Sequence, residues 1–398
     1  YSHNCEGKRG SYYLTSPGKM AMSRYARSVG AAVMKAGAEK TSTWFTPHMA
    51  AASRAIFERI PLVDITLEVR DARIPISSAY EHMRKFPSSH RIIVLNKMDL
   101  AGRYQTKEWI RHFREQNCIC YGINAHNKEN VKEFLNFLQA RVRELKFDKS
   151  KFTITVMLVG IPNVGKSALA NSLHQIGRIS AAGKVEACNC ESTACNKVEF
   201  HIQIASCPNI YVLDTPGVLH PDSIDIEMGS KLALTGAFQD CLVGECRLAQ
   251  YLLAILNLSG EHKRWESLIS KEDDCLSIEH NAKLSDSVGS NMKKKKIFCT
   301  DHTQDFVVQD VRRTLFKTIS SFEGNVEEAN YLASLIDSQL VALRDAFRVC
   351  SESDDDILHS VPTKLLNLYR IGRLGHYILD IVPGSFISHS ANKINGYH

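Results

Sequence analysis

The stretch Gly160-Ile-Pro-Asn-Val-Gly165-Lys166-Ser167 has the spacing G-x-x-x-x-G-K-[ST], which has a direct physical use. Its glycines let backbone N–H groups converge on phosphate oxygens. Lys166 can reach β- and γ-phosphates, and the Ser167 hydroxyl can ligate Mg²⁺. Asn163, Val164 and Ala168 complete the cradle. The apolar run Ile154–Val159 before it reads as a buried strand, and Ala168–Leu173 after it reads as a helix whose N-terminus adds positive potential. A chance glycine turn would lack that flanking pattern. Asp214-Thr-Pro-Gly217 closes a second apolar run, Ile210–Leu213. A carboxylate there can hold Mg²⁺ through water, and the Gly217 N–H can meet a γ-phosphate.

Asn96-Lys97-Met98-Asp99 ends the run Arg91–Leu95. Asp99 would accept two hydrogen bonds from guanine, at N1–H and the 2-amino group, a match adenine cannot make. Alone, NKMD serves equally well as a surface turn; beside a phosphate loop it reads as a base reader. Cys118–Ile123 reads as another strand ending in Asn124-Ala125-His126, where a backbone N–H could contact guanine O6; the usual Ser-Ala is Asn-Ala here. The order of the pieces is inverted. An ordinary small GTPase carries the phosphate loop first and NKxD last, so this nucleotide fold is opened at a different loop. Everything after residue 217 then hangs directly on the γ-phosphate sensor. Val218 stands where many GTPases have the glutamine that orients the attacking water, so hydrolysis needs a different group or a partner.

The elements that must position these residues are legible as six strand candidates, near 61–69, 91–95, 117–123, 153–159, 198–204 and 210–213. Helical patterns alternate with them at about 49–59, 104–116, 128–146 and 166–175. Alternation of this kind predicts an α/β fold with a doubly wound, mostly parallel sheet and ligand loops at the strand C-termini. From 225 onward helical segments dominate, expected at 226–237, 245–257, 304–321, 325–349 and 361–380, with a polar linker over 259–300. The expected division is a basic leader (1–43), a permuted nucleotide domain (44–224) and an all-helical C-terminal domain (225–398).

The composition is globular, 44% hydrophobic and 23% charged, over 398 residues. The net charge of +6 sits largely in the first 50 residues, where seven Lys/Arg face Glu6 and Glu39. The remainder is near neutral, so a nucleic-acid contact must come from local patches, and DNA binding is not expected. Lys293–Lys296 is one such patch, or merely a solvated run. Twelve cysteines without framework spacing favour reduced thiols. Cys188, Cys190, Cys195 and Cys207 could tempt a zinc reading, but their spacing fits no common zinc pattern. No apolar stretch reaches ~18 residues, so stable membrane insertion is not expected. From Met20 or Met22 the leader is rich in Arg, Ser and Ala and free of acid until Glu39, which suits an organellar presequence or an ordinary basic arm.

Taken together, Asp71-Ala72-Arg73-Ile-Pro75, Asn96–Asp99, Gly160–Ser167, Asp214–Gly217 and Leu366–His376 resemble the circularly permuted DAR-motif GTPases of ribosome assembly, over roughly residues 44–380. The likeness is greatest to plant mitochondrial members and bacterial large-subunit relatives. This resemblance implies GTP/GDP and Mg²⁺ as ligands, and hydrolysis coupled to maturation of the large ribosomal subunit with its rRNA as partner. It implies a mitochondrial location, with plastid or cytoplasm as alternatives. In the family motif W-F-P-G-H-M a histidine is proposed to replace the missing glutamine. Here the motif reads Trp44-Phe45-Thr46-Pro47-His48-Met49, so His48 inherits the catalytic candidacy, against a helix-start role. Asn163 in the phosphate loop implies K⁺ as an added cation. One departure stands out: the family's P-G-x-T threonine, a Mg²⁺ ligand, has no clear counterpart in Ser192–Asn196, where Thr193 could serve. A weakly hydrolysing scaffold dependent on GTP or GDP is therefore the rival reading, and Asn96 with Asp99 disfavours an ATPase. Asp71 and Arg73 read as a brace for the sheet or the N-terminal segment rather than as chemistry.

Overall fold

A computed structural model of the chain describes residues 17–38, 47–86, 90–145, 153–182, 201–206, 208–220, 222, 224–266, 302–349 and 354–383. Six strands form one sheet: β1 (Ile65–Asp71), β2 (Arg91–Asn96), β3 (Ile119–Gly122), β4 (Ile154–Val159), β5 (His201–Ser206) and β6 (Asn209–Leu213). Their order is β3-β2-β1-β4-β6-β5. Every neighbouring pair is parallel except β5–β6, an antiparallel hairpin. The expected mostly parallel sheet is present. One strand expectation shifts: Ile60–Leu62 is a turn of 3₁₀ helix, because Pro61 has no N–H to give a ladder, and the strand starts at Ile65.

β1 is buried at all seven positions, as a central parallel strand covered on both faces must be. It pairs with β2 on one side and β4 on the other, so the chain runs outward in both directions from this seam. Such a switch point opens a crevice at the strand C-termini. Asp71 ends β1, Asn96 ends β2, and the phosphate loop follows β4, all at that crevice.

Helices α1 (Pro17–Ala38), α2 (Pro47–Arg59), α3 (Arg103–Glu115), α4 (Lys128–Glu144) and α5 (Lys166–Ala182) alternate with or precede the strands. In α3 the residues buried are Thr106, Trp109 and Phe113; in α4 they are Val131, Phe134, Leu135, Leu138 and Val142. Both sets follow helical spacing, the signature of one face laid on a core. Asn127 caps α4 by accepting from the Glu129 and Asn130 N–H groups at 3.0 and 3.1 Å. α2 belongs to a core cluster in which Ile56 and Ile60 join Tyr80, Met83, Met157, Val159, Leu213 and Val218.

The remaining helices are α6 (Ile226–Leu234), α7 (Glu245–Ser259), α8 (His302–Ser320), α9 (Ala329–Ala346) and α10 (Asp354–Arg370). The last differs from expectation: the helix ends at Arg370, and residues 371–383 run as turns and irregular chain, with Gly372 and Gly375 at positive φ.

The molecule divides into two compact units that are not contiguous in sequence. One joins Val29–Gly244 to Leu366–His398 and contains the sheet and α6. The other joins Tyr1–Ser28 to Glu245–Leu365 and contains α7, α8 and α9. In the helical unit, α7 buries Leu248, Ala249 and Tyr251–Leu256, and Asn257 and Gln339 exchange two hydrogen bonds of 2.8 and 2.9 Å through their carboxamides. In the sheet unit the C-terminal stretch is stitched in by two side chains. Arg370 donates to the Ala233 and Leu234 carbonyls at 3.1 Å and grips Asp240 with two 2.7 Å bonds. Asp380 accepts from the Ile76 and Ser77 N–H groups, the Ser77 hydroxyl and Lys231. No helix among the described residues is long and apolar enough to cross a membrane.

Candidate nucleotide site

The phosphate loop runs from the end of β4 to the start of α5, as a cradle built on a helix N-terminus requires. Asn163 and Gly165 take positive φ, 60° and 92°. Gly165 has a second reason to lack a side chain, because a Cβ there would strike the Asn96 carboxamide. Gly217 is excluded from substitution by proximity alone, since its Cβ would lie 2.6 Å from Pro162 Cα. The Asp214–Gly217 turn thus lies directly against the phosphate loop. Thr215 Oγ1 donates to the Leu158 carbonyl at 2.6 Å and the Val218 N–H to the Gly160 carbonyl at 3.4 Å, which pins the turn to β4.

Lys166 is buried at 6% exposure, and its ammonium donates to the Gly160 and Ile161 carbonyls at 3.1 and 2.8 Å. Burial lowers its pKa to about 8, with the nearby Asp214 carboxylate acting the other way. Asp214 Oδ1 is itself buried and has no hydrogen-bond partner among the described residues. A buried carboxylate oxygen left open beside a lysine is a ready ligand for something cationic or protonic. Ser167, at the first turn of α5, is exposed, and Ala168 is partly so.

The residues expected to read the base follow β2. Asn96 uses both ends of its carboxamide: Nδ2 donates to the Val164 carbonyl at 2.9 Å and Oδ1 accepts from the Ala125 N–H at 3.0 Å. It therefore staples three loops together rather than presenting itself to a ligand. Lys97 sits at φ 60°, and its ammonium donates to the Asn163 carbonyl and lies 3.3 Å from Asp71 Oδ2. Burial pulls the Lys97 amine below its ordinary value, although Asp71 draws it up. Asp99 is exposed in the 3₁₀ turn Met98–Leu100, as an acceptor for an incoming base should be. Asn124 Oδ1 accepts from the His126 N–H at 2.9 Å. The Ala125 N–H already serves Asn96, so a base carbonyl at O6 would share or displace that bond.

Asn163 Nδ2 donates to the Thr235 carbonyl at 3.2 Å, at the end of α6. This contact, and the support that Arg370 gives the same helix end, had no local sequence signal beyond the motif around Tyr369-Arg370. His48 lies in the first turn of α2, but its side chain is outside the described residues, as are Thr193 with the rest of Ser192–Asn196 and most of the polar linker. The cysteines at 188, 190, 195 and 207 are outside them too, while Cys118, Cys120, Cys241 and Cys246 are free thiols. Burial pushes the Cys120 thiol up to about 12.

Lys166 sets a testable pH dependence. An amine with a pKa of about 8 loses its proton as the pH passes that value, and polyphosphate is attracted by the charged form. GDP binding should therefore take up protons and weaken as pH rises from about 7 to about 8.5, a window set by that depressed pKa. The free fold has the opposite sign. Its amine deprotonates before that of the unfolded chain, so folding stability rises with pH between about 8 and the ordinary 10.5. Calorimetry in buffers of different ionisation heat reads the proton uptake, and a flat profile would remove Lys166 from the phosphate site.

Comparison with known proteins identifies the family. Residues 155–281 match the family described as 50S ribosome-binding GTPase. The chain is 51% identical over 365 residues to DAR GTPase 2, mitochondrial, of Arabidopsis thaliana, spanning 90% of this chain and 96% of that protein. It is 40% identical over 359 residues to Short integuments 2, mitochondrial, of the same plant, spanning 88% and 92%. It is 30% identical over 287 residues to Ribosome biogenesis GTPase A of Bacillus pumilus, spanning 69% and 96%. Inverted motif order, a shared crevice and likeness along nearly the whole length of these relatives leave one conclusion: this chain belongs to the circularly permuted DAR GTPase family.

Proposed function

We propose that the chain binds GTP and Mg²⁺ in the crevice between Lys166, Asp214 and Asp99, hydrolyses it to GDP and phosphate, and acts in assembly of the large ribosomal subunit in mitochondria. The observation that carries the reading is the stitching of distant motifs. Asn96 and Lys97 from the base-reading turn reach Val164 and Asn163 of the phosphate loop, although 66 or more residues separate them. Relatives at 51% and 40% identity are named mitochondrial, and others are named for ribosome biogenesis or ribosome association, which supports a ribosomal partner; the large subunit and its rRNA are our reading of it.

The donor set suits the ion. Asp214 Oδ1 is a buried oxygen without a partner among the described residues, and a hydroxyl with a carboxylate is what a hard cation prefers. Ser167, Asp214 and Thr193 would hold Mg²⁺, which when bound neutralises charge building on the phosphate oxygens. K⁺ would use the amide oxygen of Asn163.

The residues around the phosphates divide the work. Lys166 and the loop N–H groups hold the β- and γ-phosphates, and the Gly217 N–H meets the γ-phosphate. A water attacks phosphorus, the bond to the β–γ bridging oxygen breaks, and GDP leaves with that electron pair. Val218 is fully buried in the core cluster and has no polar atom to orient the water. That role falls to His48, at the start of a helix that Ile56 anchors beside Leu213 and Val218. Intrinsic turnover is accordingly slow, and the subunit supplies the remaining order and positive charge.

Single-turnover hydrolysis with and without purified large subunits tests this. His48→Ala should lower stimulated turnover by about 100-fold or more, as expected for a positioned proton-handling group, while GDP affinity holds. Unchanged turnover, and no stimulation of the parent, would support the scaffold reading instead.

A further inference from the structure

The DAR element has no assigned role in the chemistry above, yet it lies at the seam between β1 and β4 where the crevice opens. Asp71 is 2% exposed and four donors converge on its carboxylate. Oδ1 accepts the Arg73 N–H at 2.9 Å and Arg73 Nε at 3.0 Å; Oδ2 accepts the second Arg73 arm at 2.7 Å and faces the Lys97 ammonium at 3.3 Å. Arg73 alone would satisfy the charge, and the extra contact goes to a residue of the base-reading turn. The backbone leads there too: Asp71 is in register with Asn96, and the Ala72 N–H donates to the Asn96 carbonyl at 2.8 Å.

Lys97 needs an anchor. Its left-handed backbone is unfavourable for a side chain of its size, and a four-carbon stem leaves the ammonium many positions. Asp71 on one side and the Asn163 carbonyl on the other fix it as a bridge between the base-reading turn and the phosphate loop. Arg73 is in turn fixed from behind. Its guanidinium lies 5.7 Å from the Tyr369 ring, its carbonyl accepts the Leu379 N–H at 2.8 Å, and Asp380 pins the following turn at Ile76 and Ser77. The stretch 366–380 is therefore the buttress of the DAR turn.

We propose that Asp71 is a positioning residue for guanine-nucleotide binding: held by Arg73, it places the Lys97 ammonium so that the base-reading turn is clamped to the phosphate loop at Asn163. This rests on the reading of Asn96–Asp99 as the base reader. The bland alternative is a brace for the sheet, whose loss would weaken binding by a route independent of Lys97.

A double-mutant cycle on the full chain separates the two. GDP dissociation constants are measured for the parent, Asp71→Asn, Lys97→Met and the double variant, with circular dichroism and gel filtration to follow folding. Asp71→Asn should weaken GDP roughly tenfold, the scale of one charged hydrogen bond. The double variant should be no weaker than Lys97→Met alone, because the carboxylate then has nothing left to position. Losses that multiply would overturn the proposal. Asp71→Asn leaves Arg73 as a buried cation short of its partner, a loss that can unfold the chain by itself, so the cycle is repeated in Asp71→Asn/Arg73→Gln, where both charges are gone. If that neutral pair also fails to fold, the element is a brace and the proposal is wrong. If the parent itself does not bind GDP, the base-reader assignment fails first.

Discussion

GDP should bind the Asp99→Asn variant on the order of 10³–10⁴-fold more weakly than the parent, while xanthosine diphosphate, nearly ignored by the parent, becomes the better ligand. The reason is donor matching. Guanine presents two donors, N1–H and the 2-amino group, to two carboxylate oxygens. Asparagine answers one of them with its own N–H, whereas xanthine offers a carbonyl there. Asp99 is exposed in its 3₁₀ turn, and among the described residues its carboxylate makes no hydrogen bond, so the change should be confined to recognition. Competition against a fluorescent GDP reads both arms. A variant that keeps parental GDP affinity and gains nothing from xanthine would show that the base is read elsewhere.

Lys166→Met should weaken GDP and GTP by on the order of 100-fold, from the loss of a charge-assisted phosphate contact, with base preference unchanged. The contrast with Asp99→Asn is the point: one change alters which base is chosen, the other how tightly any base is held. The loss belongs to binding rather than folding, because the fold already bears a penalty for burying this ammonium. Removing it relieves that penalty while leaving the Gly160 and Ile161 carbonyls without the donor they have now. Titration of both nucleotides and their adenine analogues, beside thermal melts, distinguishes these effects. A variant that binds GDP as the parent does would exclude Lys166 as a phosphate ligand.

Much of the site could be read from residue order alone, because each motif carries its own local physics. Gly160 to Ser167 needs a strand before it and a helix after it, and both were visible as apolar runs of the right period; β4 and α5 stand there. Asp99 and Asp214 announce themselves by chemistry and by their place at the ends of apolar runs. The inverted order of the motifs was likewise a fact of sequence, and a sheet with neighbours β2-β1-β4-β6 is what closes it. Where local signals were weak, expectation drifted. Pro61 moved the start of β1, and two glycines at positive φ ended α10 ten residues before the expected boundary at 380.

The sequence by itself determined that this chain carries a guanine-nucleotide site of permuted order, since glycine, lysine and carboxylate spacing dictates that chemistry wherever it folds. Tertiary structure decided which residues hold the pieces together. Asn96 reaches across to Val164 and Ala125, Asp71 turns out to face Lys97, and Arg370 and Asp380 return to support α6 and the DAR turn. Such partners lie tens to hundreds of positions apart. No periodicity or spacing encodes a hydrogen bond between residues 77 and 380; only packing around a common sheet brings them within 2.8 Å.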